Sequence, residues 1–214
     1  MTQNSESDED QEYRNEKMRE YRHETYVKPF LETVPVKFRS ASFDAIRPTP
    51  EQKQIWSEVK ITWEDAKGLF ISGNVGTGKT LLAVLCGRHL AESEKHVRFE
   101  NMTSLLVKIQ MSYGGGKIVD YDECLNIDTL IIDDIGKERL TDWSGQIIYD
   151  IINTRTENLR RTIITSNFSP TQIIAKLGDN YGQAIVSRLA EACQFFELKG
   201  RDQRLGESAN GKTK

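Results

Sequence analysis

A short apolar run and a glycine-rich loop come together in Leu69-Phe70-Ile71-Ser72-Gly73-Asn74-Val75-Gly76-Thr77-Gly78-Lys79-Thr80. The last eight of these residues match the pattern G-x-x-x-x-G-K-[ST], in which backbone N–H groups at the start of a helix point at phosphate oxygens. The run before them predicts a strand over 69–72, and the mostly apolar residues 81–90 after them predict a buried helix. Strand, glycine loop and helix in this order make up one half of a β-α-β unit.

Strands and helices continue to alternate outward from this loop. Further strands are predicted at 97–99, 129–133, 162–166 and 195–198, and helices at 103–113, around 147–152 and from 170 to about 193. Two helix starts match capping boxes, Thr49-Pro50-Glu51-Gln52 and Ser169-Pro170-Thr171-Gln172. Strands that alternate with helices in this way predict an α/β fold, with a parallel sheet of five strands covered by helices on both faces.

The loop predicts a site for ATP with Mg²⁺. We expect Lys79 to contact the β and γ phosphates and to be catalytic, and we expect the Thr80 hydroxyl to ligate Mg²⁺. The predicted nucleotide-binding residues of this segment are Gly73, Asn74, Val75, Gly76, Thr77, Gly78, Lys79, Thr80 and Leu81.

Polar side chains end two of the predicted strands, where open parallel sheets bind their ligands. Asp133 is predicted to hold Mg²⁺, directly or through water, and Asp134 to orient or deprotonate the attacking water. Asp134 stands where many ATPases of this type have the longer glutamate, so slow hydrolysis is predicted. Asn167, which follows the strand 162–166, is suited to hydrogen-bond the γ-phosphate or the water, although an asparagine in that place is otherwise a turn former.

The loop, the paired acids, the Thr165-Ser166-Asn167 strand end and Ser187-Arg188-Leu189, in that order, resemble an AAA+ ATPase. Within that group the chain is similar to the DnaC and DnaI-type helicase loaders and to their relative, the IstB transposition ATPase. The resemblance extends from about residue 36 to 204 and includes the segment 35–43 (PVKFRSASF). It implies a P-loop NTPase core of the AAA+ type with strand order 5-1-4-3-2.

The resemblance also implies roles outside the loop. Arg188 matches an arginine finger that reaches into the ATP site of a neighbouring subunit, which makes the chain an oligomer with Arg188 as a catalytic residue. Arg201 and Arg204 look like a nucleotide-sensing element. In the related proteins the region of 95–117 faces single-stranded DNA, and the candidate DNA contacts there are Arg98, Lys108, Tyr113 and Lys117.

Composition divides the chain and limits its function. Residues 1–35 are predicted to be an acidic tail and a charged partner-docking helix, 36–205 the AAA+ ATPase domain, and 206–214 a disordered tail with no C-terminal lid domain before it. Within the first segment, residues 1–12 are predicted to be disordered and 12–24 to form a mostly polar helix. A net charge of −3 restricts any DNA contact to a local patch. Three scattered cysteines argue against a disulfide framework or structural zinc. Without a signal peptide or an apolar run of membrane-spanning length, the prediction is a cytoplasmic protein with no membrane partner.

These observations predict an ATP-dependent replicative helicase loader from a bacterium or bacteriophage. It would bind a hexameric helicase and single-stranded DNA and hydrolyse ATP at subunit interfaces. One alternative is an IstB-like transposition helper that acts with a transposase on duplex DNA. Another is an adaptor in which nucleotide stabilises the fold without being hydrolysed. A small-molecule P-loop kinase would leave the Thr-Ser-Asn and Ser-Arg-Leu elements unexplained.

Overall fold

Five parallel strands form a single sheet at the centre of the molecule. The computed structural model describes residues 8–42, 53, 57, 68–112, 119–137, 141–200 and 202. The strands are β1 (Gly68–Gly73), β2 (Val97–Asn101), β3 (Thr129–Ile135), β4 (Arg161–Ser166) and β5 (Cys193–Leu198). Their order across the sheet is β2-β3-β4-β1-β5, and every pair is parallel. The predicted order 5-1-4-3-2 is thus confirmed.

Helices connect the strands and precede the first of them. They are α1 (Asp8–Arg22), α2 (Lys28–Thr33), α3 (Lys79–Glu92), α4 (Met102–Ser112), α5 (Val119–Asn126), α6 (Asp142–Glu157) and α7 (Pro170–Ala192). A π-helical turn over 23–27 joins α1 to α2. The capping box at Ser169 and Gln172 is confirmed, because each side chain accepts from the backbone N–H of the other residue. The box at Thr49 and the helix expected after it lie outside the described residues.

The two faces of the sheet are covered by different helices. Successive side chains of a strand point to opposite faces, so Leu69 and Ile71 pack with α3 while Phe70 packs with α4 to α7. Strands β3 and β4 divide their apolar residues between the same two clusters. Because both faces are buried, these strands are apolar along most of their length and lack the alternation of a half-exposed sheet.

The N-terminal segment contributes to the core, which corrects the predicted boundary at residue 36. Val27, Phe30 and Val34 are buried in the same cluster as α3. Phe30 packs against Gly87, where an added Cβ would lie 2.6 Å from the end of the Phe30 ring. The Thr33 hydroxyl accepts from the backbone N–H of Phe99 (3.0 Å) in the edge strand β2. The packed body therefore begins near Val27, because this segment covers apolar surface and the edge of the sheet.

Helix α1 lies outside this core, as the polar helix predicted near residues 12–24. Its large apolar side chains Tyr13, Met18 and Tyr21 are exposed, and Arg22 forms an ion pair with Glu94 at 2.7 Å. Residues 8–12, predicted to be disordered, belong to this helix, because interleaved charges three and four residues apart support it. The rest of the predicted tails, 1–7 and 206–214, lies outside the described residues. No helix within the described ranges is long and apolar enough to cross a membrane.

The buried Arg155 fixes helix α5, which the sequence analysis did not predict. The Arg155 side chain is fully buried, and its guanidinium donates to the carbonyl oxygens of Cys124 (2.7 Å), Ile127 (3.0 Å) and Arg161 (2.6 Å). The first two carbonyls belong to the C-terminal end of α5 and the residue after it, where a positive charge is favourable. Burial lowers the pKa of Arg155 to about 10. A lone arginine in an amphipathic helix carries no sequence signal for such a role.

Candidate functional site

The loop between β1 and α3 has the conformation that its glycines predict. Gly73, Gly76 and Gly78 have φ values of 143°, 77° and 92°, which other residues rarely adopt. The backbone can therefore curl around a small volume at the N-terminus of α3. Because that end of a helix presents unpaired N–H groups and a partial positive charge, the loop is suited to bind phosphate.

Lys79 is held inside the loop by backbone carbonyls. Its side chain is buried, and its ammonium donates to the carbonyl oxygens of Gly73 (2.8 Å) and Asn74 (2.6 Å). The Thr77 hydroxyl also donates to the Asn74 carbonyl, at 2.9 Å. The charge of Lys79 is therefore already positioned at the end of the helix, where an anion would replace neutral acceptors.

A β-bulge brings the two acids of β3 to one hydroxyl group. The register of β3 against β4 shifts between Ile132 and Ile135, so Asp133 and Asp134 share one opposite residue, Thr165. The Thr165 hydroxyl donates to Asp133 Oδ1 (2.6 Å) and accepts from the Asp134 backbone N–H (2.9 Å). Thr165 is fully buried, so its hydroxyl ties the Asp133 carboxylate to the backbone of Asp134.

Asp133 and Thr80 form a pair of hard oxygen ligands. Asp133 is 7% exposed, and the Thr80 hydroxyl donates to its Oδ1 at 2.8 Å. Burial raises the pKa of Asp133, while the hydrogen bonds from Thr165 and Thr80 act in the opposite direction. Mg²⁺ prefers carboxylate and other oxygen ligands, and its charge would offset the cost of burying this carboxylate. The residues predicted for the metal therefore fit an Mg²⁺ ion.

Asp134 turns away from the regular strand. Its φ is 64°, a left-handed conformation that aspartate tolerates better than most residues. Its carboxylate forms an ion pair with Lys137, at 2.8 Å between Oδ2 and Nζ. The side chain of Asp134 is 25% exposed and that of Lys137 is 43% exposed, so the pair faces open space rather than the core.

A single cleft collects these side chains. It is lined by Phe38, Val75, Gly76, Gly78, Lys79, Thr80, Leu81, Asp134, Lys137 and Asn167. The loop, the second acid of β3 and the residue that follows β4 thus meet at the carboxyl end of the sheet, as parallel strands require. The lining combines charged groups with the apolar side chains of Phe38, Val75 and Leu81.

Arg188 lies outside the cleft. It is on α7, 33% exposed, and its guanidinium is paired with Glu191 (3.0 Å) and, more loosely, Glu157 (3.7 Å). The hydrogen bond that Arg188 donates to Glu191 is the largest of the effects that raise the pKa of Arg188. Arg188 is thus partly exposed and does not line the cleft of its own chain.

The structure contradicts one predicted DNA contact and leaves others outside the described residues. The Arg98 side chain is 12% exposed and is paired with Glu100 at 2.6 Å and with Glu123. Its charge is neutralised by Glu100, two residues along the same strand, and by Glu123 on helix α5. Lys108 also pairs with Glu100 (2.9 Å) but is 45% exposed. The remaining predicted residues Tyr113, Lys117, Arg201 and Arg204 lie outside the described residues.

The sequence analysis missed three residues of the cleft and its surroundings. Thr165 lies within the strand end used for the prediction, but its contact with both acids depends on the bulge. Lys137 carries no motif, and only its spacing of three residues from Asp134 could have indicated a pair. Phe38 belongs to the segment similar to the loader family and lines the cleft although it is distant in the sequence.

A protein-family model matches most of this chain. The model, described as IstB-like ATP binding protein, matches residues 9–211. The chain belongs to the IstB-like ATP-binding family. Membership covers the loop, both acids and Arg188 together, and it extends into helix α1.

Curated relatives of this IstB-like chain are replicative helicase loaders. It is 30% identical over 112 residues to the replicative helicase loader DnaC of Buchnera aphidicola subsp. Baizongia pistaciae, a match that covers 50% of the chain and 46% of that protein. It is 29% identical over 112 residues to the replicative helicase loader DnaI of Bacillus subtilis, covering 50% of the chain and 35% of that protein. The chain thus spans less than half the length of these relatives. The predicted resemblance to DnaC and DnaI is confirmed.

Solved structures agree on the fold. The crystal structure of the DnaC helicase loader superposes with a TM-score of 0.68 at 28% identity and covers 77% of this chain and 100% of that one. The crystal structure of DnaI superposes with a TM-score of 0.69 and covers 80% of this chain and 94% of that one. At 20% identity the second match supports the fold alone. The core fold that the family resemblance implied is thus confirmed.

Proposed function

We propose that this chain is an ATP-dependent replicative helicase loader that acts in the bacterial cytoplasm or in a phage-infected cell. The observation that carries the proposal is the connected set on the phosphate-binding loop, in which Thr80, Asp133, Thr165 and Asp134 are linked by hydrogen bonds. Such a set suits a nucleoside triphosphate with its metal, and two relatives that match half of this chain are named as replicative helicase loaders.

The residues of the cleft divide the chemistry among them. Lys79 would exchange the two loop carbonyls for the β and γ phosphates, and Thr80 with Asp133 would hold Mg²⁺. The metal supplies charge neutralisation for the phosphates when it is bound. Asp134 would accept the proton of the attacking water as ATP and water become ADP and phosphate, and Asn167 would orient that water. Hydrolysis is slow, because the aspartate is one methylene shorter than glutamate.

The arginine proposal requires an oligomer with its active sites between subunits. Arg188 would stabilise the charge on the γ-phosphate in a neighbouring subunit. Arg188→Ala should then bind ATP normally and lose at least tenfold in ATPase rate. The matched control is Arg160→Ala, which removes a similarly exposed arginine paired with Asp128 at 3.0 Å.

A mixing experiment separates a finger acting between subunits from a local role. Lys79→Ala and Arg188→Ala are each expected to be inactive alone. Mixed, they form some sites that combine an intact Lys79 from one subunit with an intact Arg188 from the next, so activity should reappear. A mixture that stays as inactive as its components would refute the finger.

The helicase-docking role is proposed for α1. Tyr13 is 62% exposed and Met18 is 47% exposed on a helix that packs outside the core, which suits a partner surface. A pull-down of a purified hexameric replicative helicase by wild type tests the role against the double variant Tyr13→Ser, Met18→Ser. Val36→Ser, which alters an even more exposed apolar residue outside α1, is the control. Loss of capture in the double variant alone supports docking through α1, and no capture by wild type counts against the loader.

Single-stranded DNA binding and nucleotide sensing complete the proposal. We propose that Lys108, which is half-exposed on α4, contacts single-stranded DNA together with Tyr113 and Lys117. Arg98 is not included, because its charge is already paired with acids of the protein. Arg201 or Arg204 is proposed to sense nucleotide. Asp202, between them, lies against the loop so closely that a Cβ on Gly76 would overlap its carboxylate, which supports a role for this segment near the phosphates.

A transposition helper is the second candidate, because the description of the matching family model is IstB-like ATP binding protein. Its distinguishing property is binding to duplex DNA together with a transposase. Measuring ATP-dependent affinity for duplex against single-stranded DNA decides between the two functions. Preference for the duplex, combined with no capture of the helicase, would favour the helper.

A further inference from the structure

The cleft contains a second lysine whose position the proposed chemistry does not use. Lys137 lines the same cleft as Lys79, Thr80 and Asn167. Gly136, with a φ of 90°, turns the chain after β3 so that Lys137 returns toward Asp134. A positively charged side chain therefore reaches the space in which the terminal phosphate would lie next to Asp134.

The two lysines are held differently. Lys79 is buried and donates to two neutral carbonyls, whereas Lys137 is 43% exposed and pairs with a carboxylate that is itself 25% exposed. A lysine with a long flexible stem can move its ammonium between neighbouring anions without a backbone change. The ammonium of Lys137 can therefore pair either with Asp134 or with another anion in the cleft.

The ion pair affects the acid that is proposed to act on water. While the ammonium lies 2.8 Å from Oδ2, that carboxylate oxygen is engaged in the ion pair and is not open to a water molecule. A terminal phosphate carries more negative charge than one carboxylate, so it would compete for the same cation. Lys79 differs in its setting, because its ammonium donates to the carbonyls of Gly73 and Asn74 within the loop.

We infer that Lys137 is a positioning residue that senses the γ-phosphate: it holds Asp134 in the absence of ATP and releases it when the terminal phosphate takes over the ammonium. This inference rests on the proposed ATP-dependent function. It assigns to Lys137 a discrimination between ATP and ADP, because ADP lacks the phosphate that competes with Asp134.

Nucleotide binding provides the test, since a residue that only braces the turn would affect both nucleotides alike. Titrations would use a non-hydrolysable ATP analogue and ADP, each with Mg²⁺, on the full chain. Lys137→Gln should weaken binding of the analogue about tenfold relative to ADP, the effect of one hydrogen bond to a charged group. Lys137→Arg should keep most of the preference. The control Lys17→Gln, which removes an ion pair of the same spacing with Glu20 at 2.9 Å, should change neither affinity.

A second variant tests the exchange itself. Asp134→Asn removes the competing carboxylate and should tighten binding of the analogue about threefold, roughly half of a charged hydrogen bond. The gain should disappear in the double variant Asp134→Asn, Lys137→Gln, because the two residues act as a pair. Where Lys137→Gln is poorly folded, Asp134→Asn alone still tests the exchange, because no gain in affinity for the analogue would overturn it.

The outcomes separate the inference from the function on which it rests. Equal weakening for both nucleotides in Lys137→Gln, or a gain in Asp134→Asn that persists without Lys137, would overturn the inference and leave the ATP site intact. If wild type binds neither nucleotide, the proposed function fails and the inference fails with it. An analogue-specific loss with rescue by arginine supports it.

Discussion

Thr165 is the side chain whose removal should be most informative, because one hydroxyl serves both acids. Thr165→Val keeps the shape of the side chain and removes its hydroxyl. Asp133 then loses a donor at 2.6 Å, and the backbone N–H of Asp134 loses an acceptor at 2.9 Å in a fully buried place. A hydrogen bond to a charged group contributes roughly 1.5–3 kcal/mol, and an unsatisfied buried N–H costs roughly 1–3 kcal/mol. Because the two effects overlap, we expect a loss of about 2–4 kcal/mol in the free energy of unfolding.

Urea unfolding followed by circular dichroism measures this loss, and thermal unfolding should show a decrease in Tm of roughly 4–16 °C for a chain of this size. The matched control is Thr156→Val, which also removes a buried hydroxyl. That hydroxyl donates only to the Ile152 carbonyl within α6, at 2.8 Å, so its loss should cost less than about 1 kcal/mol. Equal destabilisation by the two variants would show that Thr165 does not bridge the acids.

Three further predictions concern stability and the metal. Asp133→Asn should be at least as stable as wild type at pH 7 without nucleotide, as measured by urea unfolding. A titration with ATP should show that Mg²⁺ no longer tightens ATP binding by this variant. Burial raises the pKa of Asp133 above its ordinary value of 3.8. The wild type should therefore lose stability as the pH rises from 3.8 to this raised pKa, and the variant should not show this loss. Arg155→Met should lower the free energy of unfolding by about 3 kcal/mol or more, since several buried carbonyls lose their donor, whereas exposed Arg160→Met should change it little in the same urea experiment. Phe30→Ala should cost about 3–5 kcal/mol in urea unfolding, and exposed Tyr13→Ala less than about 0.5 kcal/mol; equal effects would remove α2 from the core.

The sequence determined the class of fold and the central part of the site. Apolar runs of strand length alternated with helical patterns, and the phosphate-binding loop came between a strand and a helix, so the parallel sheet followed from local patterns. Asp133 and Asn167 were predictable because strand ends in such a sheet converge on one edge. The order of the strands came from the family resemblance, since periodicity carries no information about neighbours.

Tertiary structure alone decided the contacts between residues distant in the chain. The bulge that places Thr165 between two acids depends on the register of β3 against β4, which neither strand specifies by itself. Phe30 belongs to the predicted tail in the sequence but packs against Gly87 in the fold. Arg98 was predicted to contact DNA, but the fold brings Glu123 to it from a helix 25 residues further along the chain. Local sequence fixes propensity and spacing within one element, whereas burial and charge pairing depend on which elements become neighbours.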